Sequence, residues 1–231
     1  MTATPAEQPE VAAVSRTAEK RWPMAAAVLA TIVLQWITPK EGRLLKWWVL
    51  PVFELLALGA VILRDPGRID RRTLAARRAM FILLVIMTVG TLGGLALLMV
   101  DILDPNFAAG VNATALLGRG AALWVTNVLV FSLWFWELDR GGAAERAAGS
   151  AIRPSFGFPE DAMPELVKEG WIPTYPDYLY LSFTNATAIS PTDTLPVQTW
   201  AKMTMMGESA ISLLTAILVI AWSINGLGSA T

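Results

Sequence analysis

The stretch Tyr178-Leu179-Tyr180-Leu181-Ser182-Phe183-Thr184-Asn185-Ala186-Thr187-Ala188-Ile189-Ser190-Pro191-Thr192-Asp193-Thr194-Leu195-Pro196 decides the fold. It is a short amphipathic segment rich in Thr and aromatic residues, then a turn of small polar residues closed by Asp193 and Pro196. A polar step and the apolar run 203–224 follow, long enough to cross a bilayer. The pattern predicts a helix that dips into lipid, a loop that turns back, and a helix that crosses.

Composition agrees. With 231 residues, 55% hydrophobic and 16% charged, the chain falls among multi-span membrane proteins. A net charge of −1 gives no case for nucleic acid, and the basic residues cluster beside apolar runs. There is no Cys and no His, which removes disulfides, thiolate nucleophiles, Cys/His zinc sites, His-held haem and Ser-His-Asp catalysis. No pair of the remaining acids sits at metal-ligand spacing inside an apolar run, so neither an enzyme nor a metal or cofactor is expected.

Residues 1–21, rich in Ala, Thr, Pro and Glu, predict a disordered amino-terminal tail, and 22–231 a single transmembrane domain. The fold class expected is an all-α integral membrane protein. Five spans are placed at about 23–38, 44–63, 79–103, 113–138 and 200–224, with a re-entrant segment at about 176–196. The long polar leader and the framing Trp22 and Trp36 set the short first run apart from a signal peptide. Gly90, Gly93 and Gly94 predict a small-residue seam where another helix comes close. Glu54, inside the second run, is either a functional carboxylate or one paired within the bundle. Asp101 and Arg119 fall near one membrane face and are predicted to pair. The connection 139–175 is too long for a tight turn; one short helix is expected within 159–170, with Trp171 and Tyr175 at the interface.

The order Ser182-Phe183-Thr184-Asn185-Ala186-Thr187-Ala188-Ile189-Ser190-Pro191-Thr192-Asp193, then Pro196, is similar without a gap to the pore-helix and filter segment of the potassium-channel superfamily. There the sequence typically runs Ser-Phe-Thr-Thr-Leu-Thr-Thr-Val-Gly-Tyr-Gly-Asp. The register holds into the last span: Glu208 falls where many bacterial members carry an acid, and Ser212 where many carry a hinge Gly. The resemblance implies a pore loop, a four-fold homo-oligomer and a bacterial inner-membrane location. It does not imply potassium selectivity. That filter stacks backbone carbonyls around the ion and needs Gly at alternate positions. Here Ser190 and Thr192 replace the glycines and Pro191 the Tyr between them, so the carbonyl ladder is not expected to form.

Arg71, Arg72, Arg77 and Arg78 lie in a short basic loop, the strongest cytoplasmic marker in the chain. Counting spans from it puts the amino terminus in the cytoplasm, and the re-entrant loop then enters from the inside. The potassium-channel family implies the opposite face; pore modules of glutamate-receptor type enter from the inside.

With several copies around an axis, Thr187, Ser190, Thr192 and Asp193 would present hydroxyls and a ring of carboxylates, favouring monovalent cations with little discrimination. The filter-like set is Thr184, Thr187, Ala188, Ile189, Ser190, Pro191, Thr192 and Asp193. The alternative is a non-conducting structural or accessory subunit of a larger membrane complex. In it Thr184, Asn185, Thr187 and Thr192 merely satisfy the backbone of a re-entrant segment, and Pro191 plugs the passage. Asn185, Glu208 and Ser212 either brace the loop from behind or line the passage. The partners expected are the lipid bilayer and either further copies of the chain or a larger complex.

Overall fold

A computed structural model of the chain describes residues 19–37, 46, 48–64, 74–103, 113–187 and 193–228. The apolar runs form α1 (Trp22–Ile37), α2 (Val49–Arg64), α3 (Leu74–Leu103) and α4 (Ala113–Leu138). Beyond them come α5 (Ala143–Ala147), β1 (Phe156–Gly157), α6 (Pro159–Ala162), α7 (Tyr175–Thr187), β2 (Leu195–Pro196) and α8 (Thr199–Gly228). Leucine, alanine and methionine dominate the long helices, and only internally bonded backbone is tolerated in lipid.

α4 is the hub. α1, α3, α7 and α8 all pack on it, and α2 packs on α3. Phe81 of α3 meets Trp134 of α4 edge to face, while Leu98 shares a cluster with Leu116 and with Trp222 of α8. α3 and α8 therefore run antiparallel to α4. The starts of α1, α3, α7 and α8 gather at the Asp139 end of the bundle, where Arg21 and Arg77 come within electrostatic range of Glu137. A Cβ on Gly120 would stand 2.3 Å from Val219, so glycine there sets how closely α4 and α8 approach.

Three helices are long and apolar enough to cross a membrane: Leu74–Leu103, Thr114–Gly141 and Thr199–Trp222. α1 and α2 are apolar but only 16 residues each, a rise of about 24 Å against a hydrocarbon core of about 30 Å. Large apolar side chains such as Ile82, Val89, Met206 and Ile220 are exposed on the outer faces, as lipid contact requires.

Several details depart from the sequence. The glycine seam divides: Gly90 faces Leu50 of α2, Gly94 faces Leu123 of α4, and Gly93 meets nothing within 4 Å. The chain is not wholly helical, because Phe156 pairs with Pro196 and Gly157 with Leu195 in a two-residue antiparallel ladder. The 139–175 connection is a folded cap with several short turns instead of one helix, and Tyr175 is buried, not an interface anchor. Residues 1–18 lie outside the described residues. Glu19 and Arg21, counted with the tail, pack into the fold; a composition average over 1–21 hides its last three residues.

Candidate functional site

α7 enters at the Asp139 end of α4, where the Tyr178 hydroxyl donates to Asp139 Oδ2 at 2.7 Å. Further along, the Ser182 hydroxyl lies 2.7 Å from the Val128 carbonyl, and Phe183 stacks edge to face on Trp124 with centroids 5.7 Å apart. Trp124 and Val128 are near the middle of α4. The chain then returns to its starting level, because β2 pairs with β1 and Val197 N–H donates to the Ser155 carbonyl at 2.8 Å. Ser155 N–H in turn donates to Asp139 Oδ1 at 2.6 Å. α7 thus reaches about halfway along α4, and β2 lies back at the Asp139 end.

Glu208 ties this segment to the last helix. Its side chain is fully buried, 0% exposed, at the middle level of α4. Oε1 bonds the Ser182 hydroxyl, and Oε2 accepts from Asn185 Nδ2 at 2.6 Å. Asn185 Nδ2 also donates to the Met205 carbonyl at 2.9 Å, and the Ser209 hydroxyl donates back to the Asn185 carbonyl at 3.2 Å. From α4, Asn127 Nδ2 donates to the Glu208 carbonyl at 3.0 Å and to Ser212 Oγ at 2.9 Å. Ser182 and Asn185 are three residues apart, which puts both on the α7 face that meets α8.

A second polar cluster closes the Asp139 end. α4 stops there because Arg140, Gly141 and Gly142 all take positive φ, a run only glycine-rich sequence accepts. Asp139, fully buried, accepts from Ser155 and Phe156 N–H and from Tyr178, with Arg140 Nε 3.4 Å away. Arg146, also buried, donates to the carbonyls of Trp136 at 2.7 Å and Asp139 at 2.9 Å and lies over the Tyr178 ring. Glu19 reaches in from the amino terminus: Oε1 accepts from Tyr175 N–H at 2.6 Å, capping α7, and Oε2 from Trp136 Nε1 at 2.9 Å. Burial pushes the Glu19 carboxyl above the usual glutamate range, against the hydrogen bonds from Trp136 and Tyr175 and the charge of Arg146.

The residues singled out from sequence fare unequally. Asn185, Glu208 and Ser212 come together. The Thr184 hydroxyl, within reach of the Tyr180 and Leu181 carbonyls, bonds one or the other, and Thr187 donates to the Thr184 carbonyl, so both hydroxyls bond into their own helix. Asp193 is exposed. Ala188, Ile189, Ser190, Pro191 and Thr192 lie outside the described residues, as do Arg71 and Arg72. Asp101 and Arg119 stand 2.7 Å apart near the far end of the bundle. Glu54 is bonded through both oxygens to Gln35 of α1 at 2.9 Å. Arg77 and Arg78 are exposed at the start of α3. Among the described residues no group of acids could hold a metal ion.

Sequence reasoning passed over Asn127, Ser209, Asp139, Arg146 and Glu19. A lone Asn at the centre of an apolar run is a signal for the first, since polar groups in mid-span need partners. Glu19 carries no local signal at all. Compared with known proteins, the chain matches no family model, no curated protein and no solved structure.

Proposed function

We propose that this is a channel-like membrane protein built on a pore-loop module, which passes monovalent cations with little selectivity when several copies surround an axis. One observation carries the reading: a half-length helix, α7, sits against two long helices and enters and leaves at one end of them. Such a segment brings polar chain to mid-membrane depth, tolerated only where protein or water covers it. The five-span layout treats α1 and α2 as short spans matched by local thinning of the bilayer. Lys20, Arg77, Arg78, Arg153 and Lys202 are exposed at the Asp139 end, which supports a cytoplasmic amino terminus and a loop entering from the inside of a bacterial inner membrane.

A second reading, a non-conducting accessory subunit, is favoured by the hydroxyls of Thr184 and Thr187, which are bonded into their own helix. Flux of monovalent cations into liposomes carrying the purified protein separates the two, read together with the symmetry of the particle. The channel reading expects flux and a rotationally symmetric oligomer, four-fold by resemblance. An asymmetric or monomeric particle with no flux under any ionic condition overturns it in favour of the accessory subunit.

A further inference from the structure

The contacts of Ser182 contain one proton too few. Its Oγ lies at hydrogen-bond distance from two acceptors, the Val128 carbonyl at 2.7 Å and Glu208 Oε1, yet a serine hydroxyl carries a single hydrogen. If that hydrogen goes to Val128, a carboxylate oxygen would press on a serine lone pair; if it goes to Glu208, the carbonyl would. Both contacts are satisfied when Glu208 brings a proton of its own. Oε1–H then donates to Ser182 Oγ, Ser182 donates to Val128, and Oε2 still accepts from Asn185 Nδ2. The neighbouring amides offer no further donor toward the carboxyl. Asn185 Nδ2 has two hydrogens, spent on Met205 O and Glu208 Oε2, and those of Asn127 Nδ2 go to Glu208 O and Ser212 Oγ.

Among the described residues no charge compensates the site. On α4 the ionisable groups are Arg119, paired with Asp101 of α3, and Glu137 near the helix end. α7 carries Tyr175, Asp177, Tyr178 and the exposed Tyr180; α3 adds Arg77 and Arg78, exposed at its start; α8 adds the exposed Lys202; and the loop adds the exposed Asp193. None of these forms a hydrogen bond or ion pair with Glu208 among the described residues. A fully buried carboxylate with only neutral donors is the costly form; the acid is the cheap one.

We infer that Glu208 is a proton-binding site: it is held as a neutral carboxylic acid that donates to Ser182, and its proton couples the docking of α7 to α8. Loss of the proton leaves a buried charge and one unmatched oxygen contact, and α7 loosens from α4 and α8. The coupling holds whether or not ions pass, so it stands apart from the proposed function.

Infrared spectroscopy and amide hydrogen exchange on the purified full chain in lipid nanodiscs test it. At neutral pH the wild type should show a protonated-carboxyl stretch that shifts with isotope-labelled glutamate and disappears in Glu208→Gln. Should that variant not fold, Ser182→Ala must instead move the frequency of the same band, since it removes the acceptor. After correction for intrinsic rates, protection of residues 175–187 in the wild type should fall by up to about tenfold for each pH unit between the ordinary glutamate range and the pH at which the buried acid ionises, and level off above it. In Glu208→Gln it should stay level, because the amide donates to Ser182 and accepts from Asn185 at every pH. Absence of any band sensitive to Glu208 or Ser182, or the same pH profile in wild type and Glu208→Gln, overturns the inference.

Discussion

Asp139 and Glu208 are both wholly buried carboxyls that hold α7 in place, and they are satisfied in opposite ways. Asp139 stands where α4 ends. The broken helix leaves Ser155 and Phe156 N–H free to donate, and Arg140 and Arg146 lie in the same cap. Glu208 stands ten residues into α8, where every neighbouring N–H is already used inside a helix. Among the described residues only side chains remain there, and they are neutral: Ser182 and Asn185. Helix ends can supply backbone donors and cations to a buried acid, while helix middles supply neither. The same residue chemistry therefore serves as a clasp among backbone donors and arginines at the end of α4 and as a brace among neutral side chains at its middle.

The largest effect should come from the clasp. Asp139→Ala removes the acceptor for Ser155, Phe156 and Tyr178 and leaves three buried donors unpaired, each at a cost of about 1–3 kcal/mol. Thermal unfolding in detergent should show a marked drop in melting temperature or no folded protein. A melting temperature equal to wild type would mean the cluster does not hold the cap. The interior brace should respond less. Asn127→Leu deletes the α4 donor to the Glu208 carbonyl and Ser212, about 1 kcal/mol on the scale of hydrogen bonds between membrane helices. Steric trapping or denaturant titration of the α4–α8 pairing reads it, and a loss as large as that of Asp139→Ala would erase the contrast between face and interior.

The smallest effect is a pH dependence at Glu19. Its pKa is raised on folding, chiefly by burial, so docking contributes fully below the ordinary glutamate value of 4.5 and is lost as pH rises through the raised one. Hydrogen exchange at residues 19–24 should loosen with rising pH in the wild type and stay flat in Glu19→Gln. Identical profiles would place the titrating group elsewhere in the cap.

The positions of the helices were legible along the chain. The run expected at 113–138 is α4, Ala113–Leu138, and the segment at 176–196 opens with α7, Tyr175–Thr187. These are local properties: the length of an apolar run and the prolines, glycines and charges that end it decide where a helix can exist in lipid. The acidic residue at 208 and its neighbours Asn185 and Ser212 were also visible as candidates, through the register of the potassium-channel resemblance and because a buried carboxylate needs donors. Which atoms would meet was not visible. Glu19 caps a helix 156 residues away, Asn127 finds Ser212 across 85, and Ser182 finds Val128 across 54. The sequence by itself determined an apolar helical chain with one amphipathic segment too short to cross. Only the packing of α7 and α8 on α4 decided that β2 lies back at the end where α7 starts, and that the buried acids Asp139 and Glu208 meet a cap at one end and a serine in the middle. Pairings of that kind depend on helix register and crossing, set by contacts between distant residues that no local pattern encodes.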